Sequence, residues 1–301
     1  MANTQTGLGI DPHLLQSLKG IELQSRLLVR GMYQNRHRTR EFGTSTEFIE
    51  HRDYRPGDEV RSIDWRLYAR TDRLFVKRHE MEANVRVYCL LDTSDSMRVP
   101  PPAGLPSKLE LASVIVGAIA TMVAGQQDAV GLYCLGDRIE ERIPPKQGFA
   151  HLSQLYQHLE NPRGGGGGDF GGLVAEATRS ISKRALVFVI TDALDDWGVL
   201  FDALKGLCVR EHDVSLFQIL DRDELEFPYE SMTEFRHPES LARIVGHPVR
   251  LREGYLQRLG AFLDGIKEDS KKWRIDYVRL HNADDLAGLL RSHFLKRLMT
   301  S

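Results

Sequence analysis

The chain predicts an open α/β fold, a doubly wound and mostly parallel sheet flanked by helices, preceded by a small N-terminal accessory segment. Three observations carry that expectation. From residue 85 onward, short apolar runs alternate with helix-period patterns, the signature of repeated strand and helix units. Two of the apolar runs stop abruptly at a carboxylate, Asp92 and Asp192, which places charge at strand ends. The last segment, 283–299, gathers Leu286, Leu289, Leu290, Leu295 and Leu298 on one broad helical face, with Arg291 and Lys296 elsewhere.

Taken in order, Asp11 caps a helix running to about Arg30. Glycine, threonine, arginine and aromatic residues then read as short strands and turns. Arg55-Pro56-Gly57-Asp58 is a strong turn signal. Residues 59–70 fit two periods: Ile63, Trp65, Leu67 and Ala69 alternate as in a strand, while Val60, Ile63 and Leu67 share a helical stripe. Leu74-Phe75-Val76 reads as a strand leading into the sheet. Residues 1–84 are therefore expected to form an accessory layer docked on an α/β domain at 85–301, with Trp65 as a buried anchor because an indole covers so much area.

Within the α/β domain the expected strands are 85–92, 129–135, 185–191, 214–220 and 274–280. Residues 139–143, after the turn at Gly136-Asp137, read as an antiparallel edge strand. The helices fall near 107–125, 149–160, 171–182, 197–210, 253–268 and 283–299.

Composition narrows the function classes. Over 301 residues, 40 Lys and Arg oppose 42 Asp and Glu, so no overall pull toward nucleic acid or an anionic membrane is expected. Arg36-His37-Arg38-Thr39-Arg40 is a local basic stretch, which reads as a solvated face. The N-terminus shows neither the charged nor the apolar region of a signal peptide. The longest nearly apolar run, 111–125, is short for a bilayer span and reads as a buried helix. Cys89, Cys134 and Cys208 are scattered without a C-x-x-C pair, which fits a reducing cytoplasm and neither a disulfide framework nor a zinc site.

The candidate site begins at Asp92-Thr93-Ser94-Asp95-Ser96-Met97. One carboxylate and two hydroxyls at every second position, on a strand-end loop, suit a hard divalent ion such as Mg²⁺, which takes an octahedron of oxygens and keeps several waters. The same three residues equally serve a turn or a helix cap. In open α/β sheets ligands bind beyond the carboxyl ends of strands, so further ligands are expected at other strand ends. Asp192 stands at one such end. The glycine run 164–168 with Asp169 opens a helix that could reach the same place; it lacks the Gly-Lys-Ser/Thr ending of a phosphate loop and reads as a flexible connection. Asp195 and Asp196 read as solvated helix-start charges.

These three loops resemble the metal loops of a von Willebrand factor A domain. A narrower resemblance lies upstream, where Tyr54-Arg55-Pro56-Gly57-Asp58-Glu59-Val60-Arg61-Ser62-Ile63-Asp64-Trp65, Ala69-Arg70 and Leu74-Phe75-Val76-Lys77-Arg78 resemble the bacterial family called domain of unknown function 58. Such a segment there leads into a von Willebrand A-like domain. The resemblance implies a metal-ion-dependent adhesion site with Asp92, Ser94, Ser96, Asp192 and, as a substitute ligand, Asp169. It also implies a MoxR-type AAA+ ATPase as partner in chaperone-like remodelling. One departure stands out: the position where the A-domain pattern has a threonine is Gly168, so Mg²⁺ is expected to bind more weakly.

The leading expectation is a non-enzymatic, cytoplasmic, protein-binding adaptor that takes an acidic side chain from its partner, with no nucleic acid and no membrane span. The alternative is a Mg²⁺-dependent, phosphatase-like hydrolase using the strand-end aspartates. Against it, an aspartyl-nucleophile enzyme would want Asp where Ser94 stands. Ser94 also lacks the Gly-x-Ser-x-Gly setting, and no histidine falls in an expected strand-end loop of the sheet.

Overall fold

A computed structural model describes residues 20–33, 50–54, 63, 65–78, 85–100, 105–194, 196–240, 242–281 and 284–300. The chain divides into two compact units, one made of Met1–Asn35 with Val85–Ser301 and the other of Arg36–Asn84.

The larger unit is the expected α/β fold. Its six-stranded sheet contains β3 (Arg86–Asp92), β4 (Ala129–Leu135), β5 (Ile139–Lys146), β6 (Leu186–Thr191), β7 (Asp213–Leu220) and β10 (Asp276–His281). They lie in the order β10-β7-β6-β3-β4-β5, parallel except for β5. Counted along the chain this is the 3-2-1-4-5-6 order of doubly wound sheets, with its reversal between β3 and β6. The antiparallel edge strand extends past the expected 139–143 and carries Pro144 and Pro145, residues that an edge tolerates because their missing N–H groups break no interior ladder.

Each central strand faces two cores. Val87, Cys89 and Leu91 point to one side and Tyr88 and Leu90 to the other, as strand alternation requires. The first core is covered by α1 (Ile21–Tyr33), α3 (Lys108–Gly125), α4 (Phe149–Glu160) and α9 (Leu286–Thr300); the second by α5 (Phe170–Thr178), α6 (Trp197–Val209) and α8 (Pro248–Lys272). The apolar stretch expected as a buried helix is α3. Its length and composition would suit a membrane span, but most of its residues are buried within the protein. Ser107 starts it with a capping box: its Oγ accepts from Glu110 N at 3.2 Å, and its own N–H donates to Glu110 Oε2 at 2.7 Å.

Three sequence expectations are corrected. The N-terminal helix belongs with the sheet and not with an accessory segment ending at residue 84: Leu28 and Met32 join the α3 core, and Gly117 lets α1 approach so closely that a Cβ there would meet Ser25 Oγ at 2.1 Å. The strand near Leu74 is β2 (Phe75–Arg78), which pairs antiparallel with β1 (Glu50–Asp53) in a sheet of its own instead of leading into the large one. Trp65 begins α2 (Trp65–Thr71), a helix with no buried residue, and is 56% exposed, edge-on to Tyr68. The indole therefore anchors no core; Ile63 is the buried side chain there. The Arg55 to Asp58 turn, the basic stretch at 36–40 and Asp195 lie outside the described residues, as does the helix start at Asp11.

The sequence also held two elements that periodicity did not disclose. A hairpin of β8 (Thr233–Arg236) and β9 (Arg243–Gly246) follows the short α7 (Arg222–Glu226). Ile244 and Val245 in β9 are both exposed, so this strand lacks the one-faced alternation by which strands are recognised.

Candidate functional site

The site grows from the junction of β3 and β6. Leu91 pairs with Ile190, so Asp92 lies beside Thr191 with Asp192 one residue further on. Asp92 is 1% exposed, and both of its oxygens are engaged. Oδ1 accepts from Ser94 N at 2.9 Å and Oδ2 from Thr191 Oγ1 at 2.6 Å. Burial, and after it the negative charge of Asp192, pushes the Asp92 carboxyl up to about 7, against the opposing pull of these hydrogen bonds.

Ser94 Oγ and Ser96 Oγ stand 3.0 Å apart. Adjacent ligands of an octahedral Mg²⁺ with oxygens at about 2.0–2.1 Å are separated by about 2.9 Å, so the two hydroxyls have the spacing of one ion's edge. The loop that carries them is held from below. Thr93 N donates to Leu135 O at the end of β4, and Arg98 donates to Thr93 O and Pro162 O.

The glycine run is no slack connection. Asp95 N donates to Gly166 O at 2.8 Å and Asp137 N to Gly165 O at 3.1 Å, which laces residues 164–166 to the first loop and to the β4–β5 turn. Glycine is required for that approach: Gly164 has φ of +140°, and a Cβ there would lie 2.1 Å from Thr93 Oγ1. Gly168 brings no hydroxyl, and a Cβ on it would meet nothing within 4 Å. Asp169 is exposed and caps α5, its Oδ1 accepting from Gly172 N at 2.7 Å. Asp196 likewise caps α6.

Asp192 is buried and spoken for. Its Oδ2 meets Lys108 Nζ at 2.8 Å and its Oδ1 accepts from Leu194 N at 3.3 Å. The Lys108 ammonium also meets Glu224 Oε1 at 2.8 Å. Burial works against the charged form of Lys108, yet the two carboxylates outweigh it and raise the lysine above its ordinary range. Behind them Gln218 Nε2 donates to the Asp192 carbonyl at 2.9 Å while its Oε1 accepts from Tyr277 OH at 2.6 Å. Asp221, whose carboxyl burial pushes up to about 6, receives the Glu224 side chain on its own N–H at 2.7 Å.

The donor set answers the ion question in two halves. The first loop fits a hard divalent cation. The second and third do not complete the set: Gly168 has no side-chain oxygen to give, Asp169 is exposed with Oδ1 in a helix cap, and Asp192 serves a lysine. Among the described residues, no group of three or more His, Cys, Asp or Glu side chains forms a metal cluster. Sequence reasoning missed Thr191, Lys108, Gln218 and Glu224. Thr191 was visible as the polar last residue of its strand; Lys108 looked like an ordinary helix-start charge. His281 does end a strand, β10, but at the far edge of the sheet and bonded to Asp284.

Residues 50–259 match the family model described as Protein of unknown function DUF58. The chain belongs to the DUF58 family. An uncharacterized protein of Mycobacterium tuberculosis is 25% identical to this DUF58 chain over 223 residues, 72% of the chain and 68% of the relative, and an uncharacterized protein of Mycobacterium bovis matches to the same extent. Among solved structures, the conserved hypothetical protein BatB from Bacteroides thetaiotaomicron is 22% identical with a TM-score of 0.48, over 71% of the DUF58 chain and 99% of that structure. The VWA domain of SpRpn10 is 11% identical with a TM-score of 0.38, over 68% and 93%.

Proposed function

We propose that this DUF58 protein is a non-enzymatic binding module whose strand-end face captures an acidic side chain of a partner protein through a divalent cation held by Asp92, Ser94 and Ser96. The observation that carries this reading is the 3.0 Å spacing of the two serine hydroxyls beside a buried carboxylate. A cation so held would supply residual positive charge, to which an incoming Asp or Glu adds a charge-assisted contact. The chain's own residues provide the fixed frame: Thr191 and Ser94 N–H orient Asp92, and the laced glycines keep the first loop in place.

The remaining titratable groups favour binding over turnover. Asp192 and Glu224 are paired with Lys108 and Asp92 is held on both oxygens, so each of these carboxylates already has a structural partner. The β8–β9 hairpin adds surface suited to a protein partner. A side chain on Gly167 would strike Glu239 of this hairpin, which puts the hairpin beside the glycine loop, and Ile244, Val245 and Val249 are exposed on and just after it. The partner we propose is a MoxR-type AAA+ ATPase, in the reducing cytoplasm that free thiols at Cys89, Cys134 and Cys208 suit.

Capture of the ATPase by the purified chain, with and without EDTA, tests the reading. Capture should need Mg²⁺ and should fail in the Ser94→Ala, Ser96→Ala double variant, while the fold remains. Capture indifferent to chelator and to the serines would overturn it, and phosphatase or esterase turnover lost with Asp92 would establish the hydrolase instead.

A further inference from the structure

We propose that Lys108 limits the ligand set and the cation affinity of this face: its ammonium, fixed between Asp192 and Glu224, withholds the third-loop carboxylate from any divalent ion and leaves that ion to Asp92, Ser94 and Ser96. The inference deepens the binding reading and rests on it only for the identity of the ion's ligands.

The ammonium makes two 2.8 Å contacts and is 1% exposed, so it sits where a second cation would have to displace it to reach Asp192 Oδ2. The other oxygen of Asp192 already accepts a backbone N–H. Movement of the lysine is resisted from its own end. The capping box at Ser107 and Glu110 pins the backbone that carries it, and its side chain joins three separated elements: the first turn of α3, the segment after β6 and α7. Withdrawing the ammonium would leave Asp192 as an uncompensated buried charge, one of the costlier changes a folded protein can suffer.

Charge bookkeeping gives the consequence. A divalent ion held by Asp92 and two neutral hydroxyls keeps one net positive charge, whereas a second carboxylate from Asp192 would cancel it. By occupying Asp192, Lys108 keeps the ion short of one anionic ligand, and that vacancy in charge selects a carboxylate on the partner. The lysine also lowers the protein's own affinity for the ion, both by removing a ligand and by placing a like charge nearby.

Titration of the purified chain with Mn²⁺, followed by the loss of the free ion's electron paramagnetic resonance signal, is the test. Lys108→Met should bind Mn²⁺ at least tenfold more tightly than the parent, and Lys108→Met combined with Asp192→Asn should return to the parental affinity. With Lys108 in place, Asp192→Asn should change the affinity less than threefold. A folded Lys108→Met chain that binds no more tightly than the parent overturns the proposal, including the case in which neither binds. So does a tenfold weakening by Asp192→Asn alone. Lys108→Met with Glu224→Gln, which removes one of the two stranded carboxylates, replaces the single variant if that fails to fold; the Asp192→Asn arm decides the matter if neither does. EDTA-insensitive capture of the ATPase would defeat the binding reading and leave this result intact.

Discussion

Thr191 Oγ1 donates to Asp92 Oδ2 at 2.6 Å across the junction of β3 and β6, the point where the strand order reverses. The bond ties the two central strands at the end where doubly wound sheets bind ligands, and it orients a carboxylate that solvent does not reach. Thr191→Val keeps the shape and removes the donor. Loss of a hydrogen bond to a buried carboxylate costs about 1–3 kcal/mol, so the urea midpoint should fall accordingly without a change in the m-value.

Asp92 predicts the pH response of the ion-free protein. Its carboxyl is raised from 3.8 to about 7 in the fold, so between roughly those values the native state holds a proton that the unfolded state has released. Stability therefore falls as pH rises through that window and levels off above it. Asp221, raised to about 6, acts in the same direction over the lower part of the window. Denaturation in EDTA at pH 5 and pH 7.5 should show lower stability at the higher pH, and Asp92→Asn should remove most of the difference. His212, lowered by its burial, acts in the opposite direction, so the decisive comparison is between parent and variant: a pH dependence that Asp92→Asn leaves unchanged would show that Asp92 is ionised in the fold.

Gly168 offers a gain-of-function check. Its Cβ direction is open, and it stands where the A-domain resemblance expects a threonine hydroxyl. Gly168→Thr should tighten Mn²⁺ binding several-fold with little effect on the thermal midpoint. Unchanged affinity would mean that the second loop does not face the ion.

Trp65→Ala should change stability by no more than about 0.5 kcal/mol, the usual range for an exposed position away from special features. A buried indole would have cost about 3–5 kcal/mol, which was the sequence expectation and which the 56% exposure of this ring removes. Chemical denaturation of parent and variant distinguishes the two values.

The strands were legible because each is a short apolar run with turn signals at its ends. The helix bounds at 149–160 matched α4, and the antiparallel edge strand was anticipated. Asp196 was read as a helix-start charge and does cap α6, whereas the caps at Ser107 and Asp169 were not assigned from the sequence, although each bonds an N–H group only three residues away. The misses share a cause. Trp65 was placed by the area it could bury, and β9 was passed over because its apolar residues face outward; composition alone states neither a residue's surroundings nor its exposure.

By itself the sequence determined the alternation of strands and helices and the D-x-S-x-S loop at the end of β3, because these depend on periods of two and 3.6 residues and on spacing within one turn. It also placed Asp192 at a second strand end. Only the tertiary structure decided that Asp192 faces an ammonium. Lys108 lies 84 residues from Asp192 and 116 from Glu224, and nothing local distinguishes it from a solvated lysine at a helix start. Burial then makes the pairing obligatory, since a charge taken out of water must find its opposite, and it is the packing of α3 against the sheet that brings the two within 2.8 Å.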